Sequence, residues 1–247
     1  MVDTSEENQE KRPNHRMLVP LVLLVSGLVA AMALFHWAKR PKPIQKLVFE
    51  GLIVLTSQDL MEYLEIPSDP LDPNKLSWEK WEQKLNSHPR IQKARVNRNS
   101  DGRLIITLQE RVAEFIVHVG DMLYEVDDQN MILSENHVLD PYLLTISGNF
   151  PISSNQIQGT QFNDIASVLR SALVAYPALK TRISEIQIED DGDYIIFLKS
   201  PNPIKVLIGN TFNLYNVRKL YAALAYLETE EIKANEIDLR GEDAVYH

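Results

Sequence analysis

The chain contains no cysteine, which excludes structural disulfides, thiolate metal sites and a cysteine nucleophile. Basic residues are also short: 25 Lys+Arg stand against 34 Asp+Glu, a formal net charge of -9. That is the reverse of the excess needed to neutralise phosphates, so nucleic acid is excluded as a general partner. There are only 9 glycines, and none belongs to a phosphate-cradling loop or a G-x-S-x-G nucleophile turn. The 6 histidines are scattered without ligand spacing, so no metal is expected. No cofactor and no small-molecule substrate are expected either.

Long apolar runs are equally scarce, and the single exception organises the chain. Met17 to Ala38 is continuous apolar sequence, and a helix of that length rises about 33 Å, enough for a bilayer core of roughly 30 Å. His36 and Trp37 fall at one end, where amphipathic rings suit the interface. Ala31-Met32-Ala33 has the form of a signal-peptidase site. The apolar residues that continue to Trp37, and the basic flank Lys39, Arg40 and Lys42, favour a retained anchor. Basic residues lie on both sides of the run, so the positive-inside rule leaves orientation open. Pro41 and Pro43 predict a short, stiff linker.

Of the 247 residues, 45% are hydrophobic and 24% charged, enough for one or two cored domains behind the anchor. Charge divides unevenly between them. Residues 47–111 hold 9 basic and 10 acidic groups, whereas residues 112–247 hold 9 and 20. Two globular parts with different surfaces are the natural reading.

In the first part, Lys46 to Val54 reads as a strand. Thr56-Ser57-Gln58-Asp59 opens a helix, and Ser77 caps a second whose Trp78, Trp81 and Leu85 form an apolar stripe. Ile91 to Arg98 alternates Ala94 and Val96 inward with Lys93, Arg95 and Asn97 outward. A following strand alternates Leu104, Ile106 and Leu108 inward, with Asp101-Gly102 as the turn between the two. In the second part, short strands are predicted at 113–119, 122–126, 131–133, 183–188, 194–198 and 204–208. One helix is striped by Phe162, Ile165, Leu169, Leu173 and Tyr176. Another is striped by Leu214, Val217, Leu220, Tyr221, Leu224 and Leu227. The acidic run Glu189 to Asp193 lacks the spacing of a calcium loop and reads as a hairpin turn at Asp191-Gly192.

The order strand, helix, helix, strand, strand behind an apolar run resembles a POTRA domain. His88-Pro89-Arg90-Ile91 through Arg98, followed by Leu104 through Glu110-Arg111-Val112-Ala113, is similar to the pattern of the bacterial division family FtsQ, called DivIB in Gram-positive bacteria. Asn99 to Gly102 departs from the aromatic-Pro turn usual there. Pro141 to Gly148, Gly209 and Glu236-Ile237-Asp238-Leu239-Arg240 continue the resemblance, with Gly241 in place of an aromatic. The resemblance implies an α+β chain with a cytoplasmic tail at 1–16, a transmembrane helix at 17–38, a linker at 39–46, a POTRA domain at 47–112 and a β-rich domain with two helices at 113–247.

It also implies a non-enzymatic, single-pass scaffold of the division septum in the inner membrane, with the bulk of the chain outside the cytoplasm. Such a scaffold binds small single-pass partners of the FtsB/FtsL type and links early division components to septal wall synthesis. A POTRA-bearing transport component and a membrane-anchored envelope hydrolase are the alternatives.

Two surfaces stand out. Arg90, Lys93, Arg95, Arg98, Arg103 and Arg111 face only Asp101 and Glu110, which predicts a solvated strand face that blunts an edge. Its functional counterpart is a recruitment face carried by Lys93, Arg95 and Arg98, docking an acidic partner or anionic lipid. His88 reads as a partly charged helix-end residue. The second surface is the end of the chain, where a last strand over 244–247 is expected at a sheet edge, its free N–H and C=O groups able to pair with a partner strand. The expected partner-binding residues are Arg240, to meet a carboxylate, with Gly241, Ala244, Val245 and Tyr246. A proline at 245 is expected to remove a backbone donor at little cost to folding. The alternative is that these residues only complete the domain's own sheet.

Overall fold

The structure is a computed structural model that describes residues 15–38, 44, 46–66, 77–99 and 101–247. Most of the tail, the Pro41 and Pro43 linker, and the Pro67 to Pro73 loop lie outside the described residues. Residues 48–66, 77–97 and 105–247 form one compact unit; α1 and the hairpin tip at 98–104 belong to another.

The apolar run is helical: α1 covers His15–Ala38, 24 residues. Its described side chains, Pro20 and those of 22–37, are apolar apart from Ser26 and His36 and are exposed. Among the described residues no helix is long and apolar enough to cross a membrane, a span needing roughly 20 apolar residues.

The first globular part has the expected element order: β1 (Lys46–Glu50), α2 (Ser57–Tyr63), α3 (Trp78–Asn86), β2 (Ile91–Arg98) and β3 (Arg103–Glu110). The sheet order is β1-β3-β2. The α2 start is a capping box, in which Thr56 Oγ1 accepts from the Asp59 N–H at 3.2 Å and Asp59 accepts from the Thr56 N–H at 2.8 Å. Leu60, Leu85 and Ile106 have no exposed surface, and each such side chain contributes about 1.5–3 kcal/mol by leaving water.

The expected first strand is too long by four residues. It stops at Glu50 because Gly51 turns at φ +86°, where a Cβ would lie 2.1 Å from the Leu108 carbonyl oxygen. Only glycine fits that approach. The next amides then turn toward one side chain: Glu110 accepts from the N–H groups of Ile53, Val54 and Leu55 at 2.9, 2.8 and 3.3 Å.

The second part is a nine-stranded mixed sheet. Its strands are β4 (Phe115–Val119), β5 (Met122–Val126), β6 (Ile132–Glu135), β7 (Leu144–Ser147), β10 (Ile183–Ile188), β11 (Tyr194–Leu198), β12 (Ile204–Gly209), β13 (Glu236–Asp238) and β14 (Val245–Tyr246). They lie in the order β14-β13-β12-β11-β10-β7-β4-β5-β6. A small hairpin, β8 (Ile152–Ser153) and β9 (Gln156–Ile157), and a one-turn helix α5 (Leu179–Arg182) are additional to the expected elements.

The two long helices, α4 (Thr160–Ala175) and α6 (Leu214–Thr229), each lie in a connection between parallel neighbours, β7 to β10 and β12 to β13. Phe162, Ile165 and Leu169 of α4 join Val217, Leu220 and Leu224 of α6 in one core with Val117, Ile146, Ile196 and Val206 of the sheet. Leu214 and Tyr221, expected in the buried stripe, are 48% and 40% exposed, while Ala223 is buried.

Buried charge joins the elements on either side of residue 112. Arg90 pairs with Glu125, their side chains 5% and 1% exposed. Glu125 also accepts from the Ser134 hydroxyl and the N–H groups of Leu139 and Asp140. Arg111 pairs with Asp127 at 2.6 Å. This corrects the expected basic face, since Arg90 and Arg111 are internal ties and Arg103 is held by Asp101 at 2.7 Å.

Candidate protein-interaction edge

A sheet edge binds another strand only where its backbone groups face outward unpaired. Among the described residues the two larger sheets have four edges, and at two of them an asparagine pairs with the edge strand. At β2, Asn86 Oδ1 accepts from the Ala94 N–H at 2.8 Å, and Asn86 Nδ2 donates to the Ala94 carbonyl at 3.2 Å. One helical turn earlier, Glu82 accepts from the Val96 N–H at 3.0 Å. At β6, the Ile132 N–H donates to the Asn155 carbonyl and Asn155 Nδ2 donates to the Ile132 carbonyl, both at 2.9 Å.

The β14 edge has no such cover among the described residues. His247 exchanges both backbone bonds with Glu236, donating at 2.9 Å and accepting at 3.2 Å. Because such exchanges alternate along an antiparallel pair, Val245, opposite Asp238, also turns its backbone inward. The outward donor and acceptor belong to Tyr246. A proline at 245 would thus break a bond inside the sheet, and the expectation about that donor is corrected by one residue.

Side chains alternate with the backbone. Val245 is 50% exposed, whereas Ala244 and Tyr246 pack on the core. The Tyr246 ring lies 5.9 Å from that of Tyr226; burial, then the neighbouring Tyr226, raises its pKa above the ordinary value.

Arg240 is already engaged. Its Nε donates to both Asp238 oxygens at 3.0 and 3.2 Å and its Nη2 to one of them at 2.7 Å. These bonds hold the Asp238 carboxyl down at about 2. The Arg240 stem lies over Gly209, where φ is +89° and a Cβ would stand 3.3 Å from Arg240 Cγ. Gly241 contributes its carbonyl, which with that of Leu239 accepts from Lys219 Nζ. The segment after β13 is therefore fixed before any partner arrives.

Of the expected recruitment residues, Lys93 and Arg95 are exposed on β2 and Arg98 is half-buried. His88 is not a charged cap. Its Nδ1 accepts from the Arg90 N–H at 3.1 Å and its ring stands edge-on to Tyr63 at 4.7 Å. Burial, then the Arg90 charge, lowers its pKa, with Glu110 opposing, which disfavours the charged ring. A cleft of about 680 Å³ lined by Arg111, Phe115, Asp127 and Arg170 is not a ready anion site, because Arg170 is paired with Glu114 at 2.7 Å and Arg111 with Asp127.

Asn86, Asn155 and Glu125 escaped the sequence reading, whereas Glu110 stood in the family pattern without its role as acceptor of the 53–55 amides. For the first three the only signal was negative: polar side chains interrupting or ending apolar patterns with no motif to explain them.

With this geometry in view, the first globular part defines a class, that of chains bearing a POTRA domain, a protein-interaction module. Residues 42–111 match the family model of the POTRA domain, FtsQ-type, which bears out the resemblance to FtsQ/DivIB over that part and supports a division-associated role. No curated protein matches the chain.

Proposed function

We propose that this protein is a non-enzymatic scaffold of the bacterial division machinery, held in the inner membrane by Met17 to Ala38 with residues 39–247 outside the cytoplasm. The observation that carries the proposal is the FtsQ-type POTRA match at 42–111. The helical state of His15–Ala38 supports the anchor. In this reading 47–112 is the POTRA domain and 113–247 the domain that holds small single-pass partners of the FtsB/FtsL type, while Lys93, Arg95 and Arg98 form the recruitment face.

The partner strand adds beside β14, with Tyr246 supplying the outward backbone groups, Val245 an apolar anchor, and Ala244, Arg240 and Gly241 the fixed flank. The contrast between this uncovered edge and the asparagine-closed edges of β2 and β6 supports the placement. A reporter fused after His247 should be active only outside the cytoplasm, and tagged full chain from dividing cells should bring down a small single-pass division protein. A cytoplasmically active reporter overturns the scaffold.

A further inference from the structure

With β2 and β6 closed and β14 assigned above, the fourth edge is β1, Lys46–Glu50. It ends the three-stranded sheet, and among the described residues no strand pairs with its outer side. Its sequence, Lys-Leu-Val-Phe-Glu, has no proline or glycine to prevent pairing. Lys46 and Glu50 are exposed at its two ends, and Leu47, Val48 and Phe49 are half-buried between them.

We propose that β1 pairs antiparallel with β1 of a second copy of this chain. Centred on Val48, that register sets Lys46 of each copy opposite Glu50 of the other, Leu47 opposite Phe49, and Val48 opposite its own copy on the two-fold axis. Opposite charges facing each other across strands are favourable, and like charges are not. Parallel pairing in register would put lysine on lysine and glutamate on glutamate, and a slip of one residue would leave the lysine and glutamate without each other. The pattern therefore selects one direction and one register. It also selects a closed dimer, because a self-complementary strand gives an isologous contact that cannot propagate. The inference stands apart from the β14 reading, whose partner occupies a different sheet.

Five residues make a small contact, so pairing is strongest where copies are concentrated, as in a shared bilayer. Since the chain has no cysteine, Val48→Cys gives a single thiol at the two-fold axis. Full chain carrying it, reconstituted in phosphatidylcholine vesicles and treated with a short bis-maleimide, should give a cross-linked dimer. Gln58→Cys, exposed on α2, should not. Adding Lys46→Glu sets carboxylates against each other at both ends and should lower the Val48→Cys dimer yield roughly tenfold. Adding Glu50→Lys to that variant restores the complement with the ends exchanged and should restore the yield. Recovery separates lost pairing from lost folding. Absence of a dimer at Val48→Cys, or a yield that ignores both charge changes, overturns the proposal.

Discussion

The carboxamide of Asn86 stands beside Ala94 as a neighbouring strand would, accepting its N–H at 2.8 Å and donating to its carbonyl at 3.2 Å. One side chain thus performs both halves of a backbone pair, and it does so from a helix. Asn86→Ala should lower stability by about 1–3 kcal/mol, because two buried edge groups lose their partner. Urea unfolding measures that loss. Faster amide exchange at Ala94, with Arg95 unchanged, would locate it.

Glu110 gathers three consecutive amides of the 53–55 turn. Glu110→Gln keeps the shape but removes the charge and one acceptor oxygen. A loss of about 1.5–3 kcal/mol is expected, read by urea unfolding, with the exchange of the Ile53 and Val54 amides rising first. Unchanged exchange at those two positions would show that the turn is held by other means.

The Arg90–Glu125 pair is nearly free of solvent. Removing one member leaves the other charge buried, so Arg90→Ala and Glu125→Ala should each cost about 3–5 kcal/mol. The double variant should cost less than the sum of the two. Additive losses in a double-mutant cycle would mean that the two charges do not act on each other.

Asp238 supplies a pH signature. Its carboxyl sits at about 2 rather than 3.8, first through the hydrogen bonds from Arg240. A depressed folded pKa gives stabilisation that is complete above the unfolded value and fades as pH falls from about 4 toward 2. Arg240→Gln should return Asp238 toward the ordinary carboxylate range, measurable by following its side-chain carboxyl resonance through an acid titration.

Much of the scaffold was legible because its signals are local. The period-two alternation of Leu104, Ile106 and Leu108 and the Thr56-to-Asp59 cap each work within a few residues. The ties were not legible, because Glu110 meets amides 55–57 residues away in the chain and Arg90 meets Glu125 35 residues on. The edge strand at the chain end was readable from its position, but not which of its residues turns outward. That depends on the register with Glu236, which no pattern inside 244–247 encodes.

Register also separates two proline variants at that edge. Val245→Pro breaks a bond to β13 and should loosen the end of the sheet. Tyr246→Pro removes the outward donor, and Tyr246→Leu serves as the control for the lost ring. Isothermal titration with the partner segment should show binding lost in Tyr246→Pro and kept in Tyr246→Leu, with circular dichroism of both near that of the parent. Equal binding by all three would remove β14 from the interface.

Closing edges with asparagine also makes each closure depend on an intact carboxamide. Asparagine is among the thermolabile residues, and hydrolysis of the Asn86 carboxamide would leave a carboxylate that still accepts the Ala94 N–H but has no hydrogen to offer the Ala94 carbonyl 3.2 Å away. A closing bond becomes a repulsion without any change in the gene. The same change at Asn155 would act on the Ile132 carbonyl. At both edges the nitrogen of one carboxamide decides whether a strand carbonyl meets a hydrogen or a negative charge.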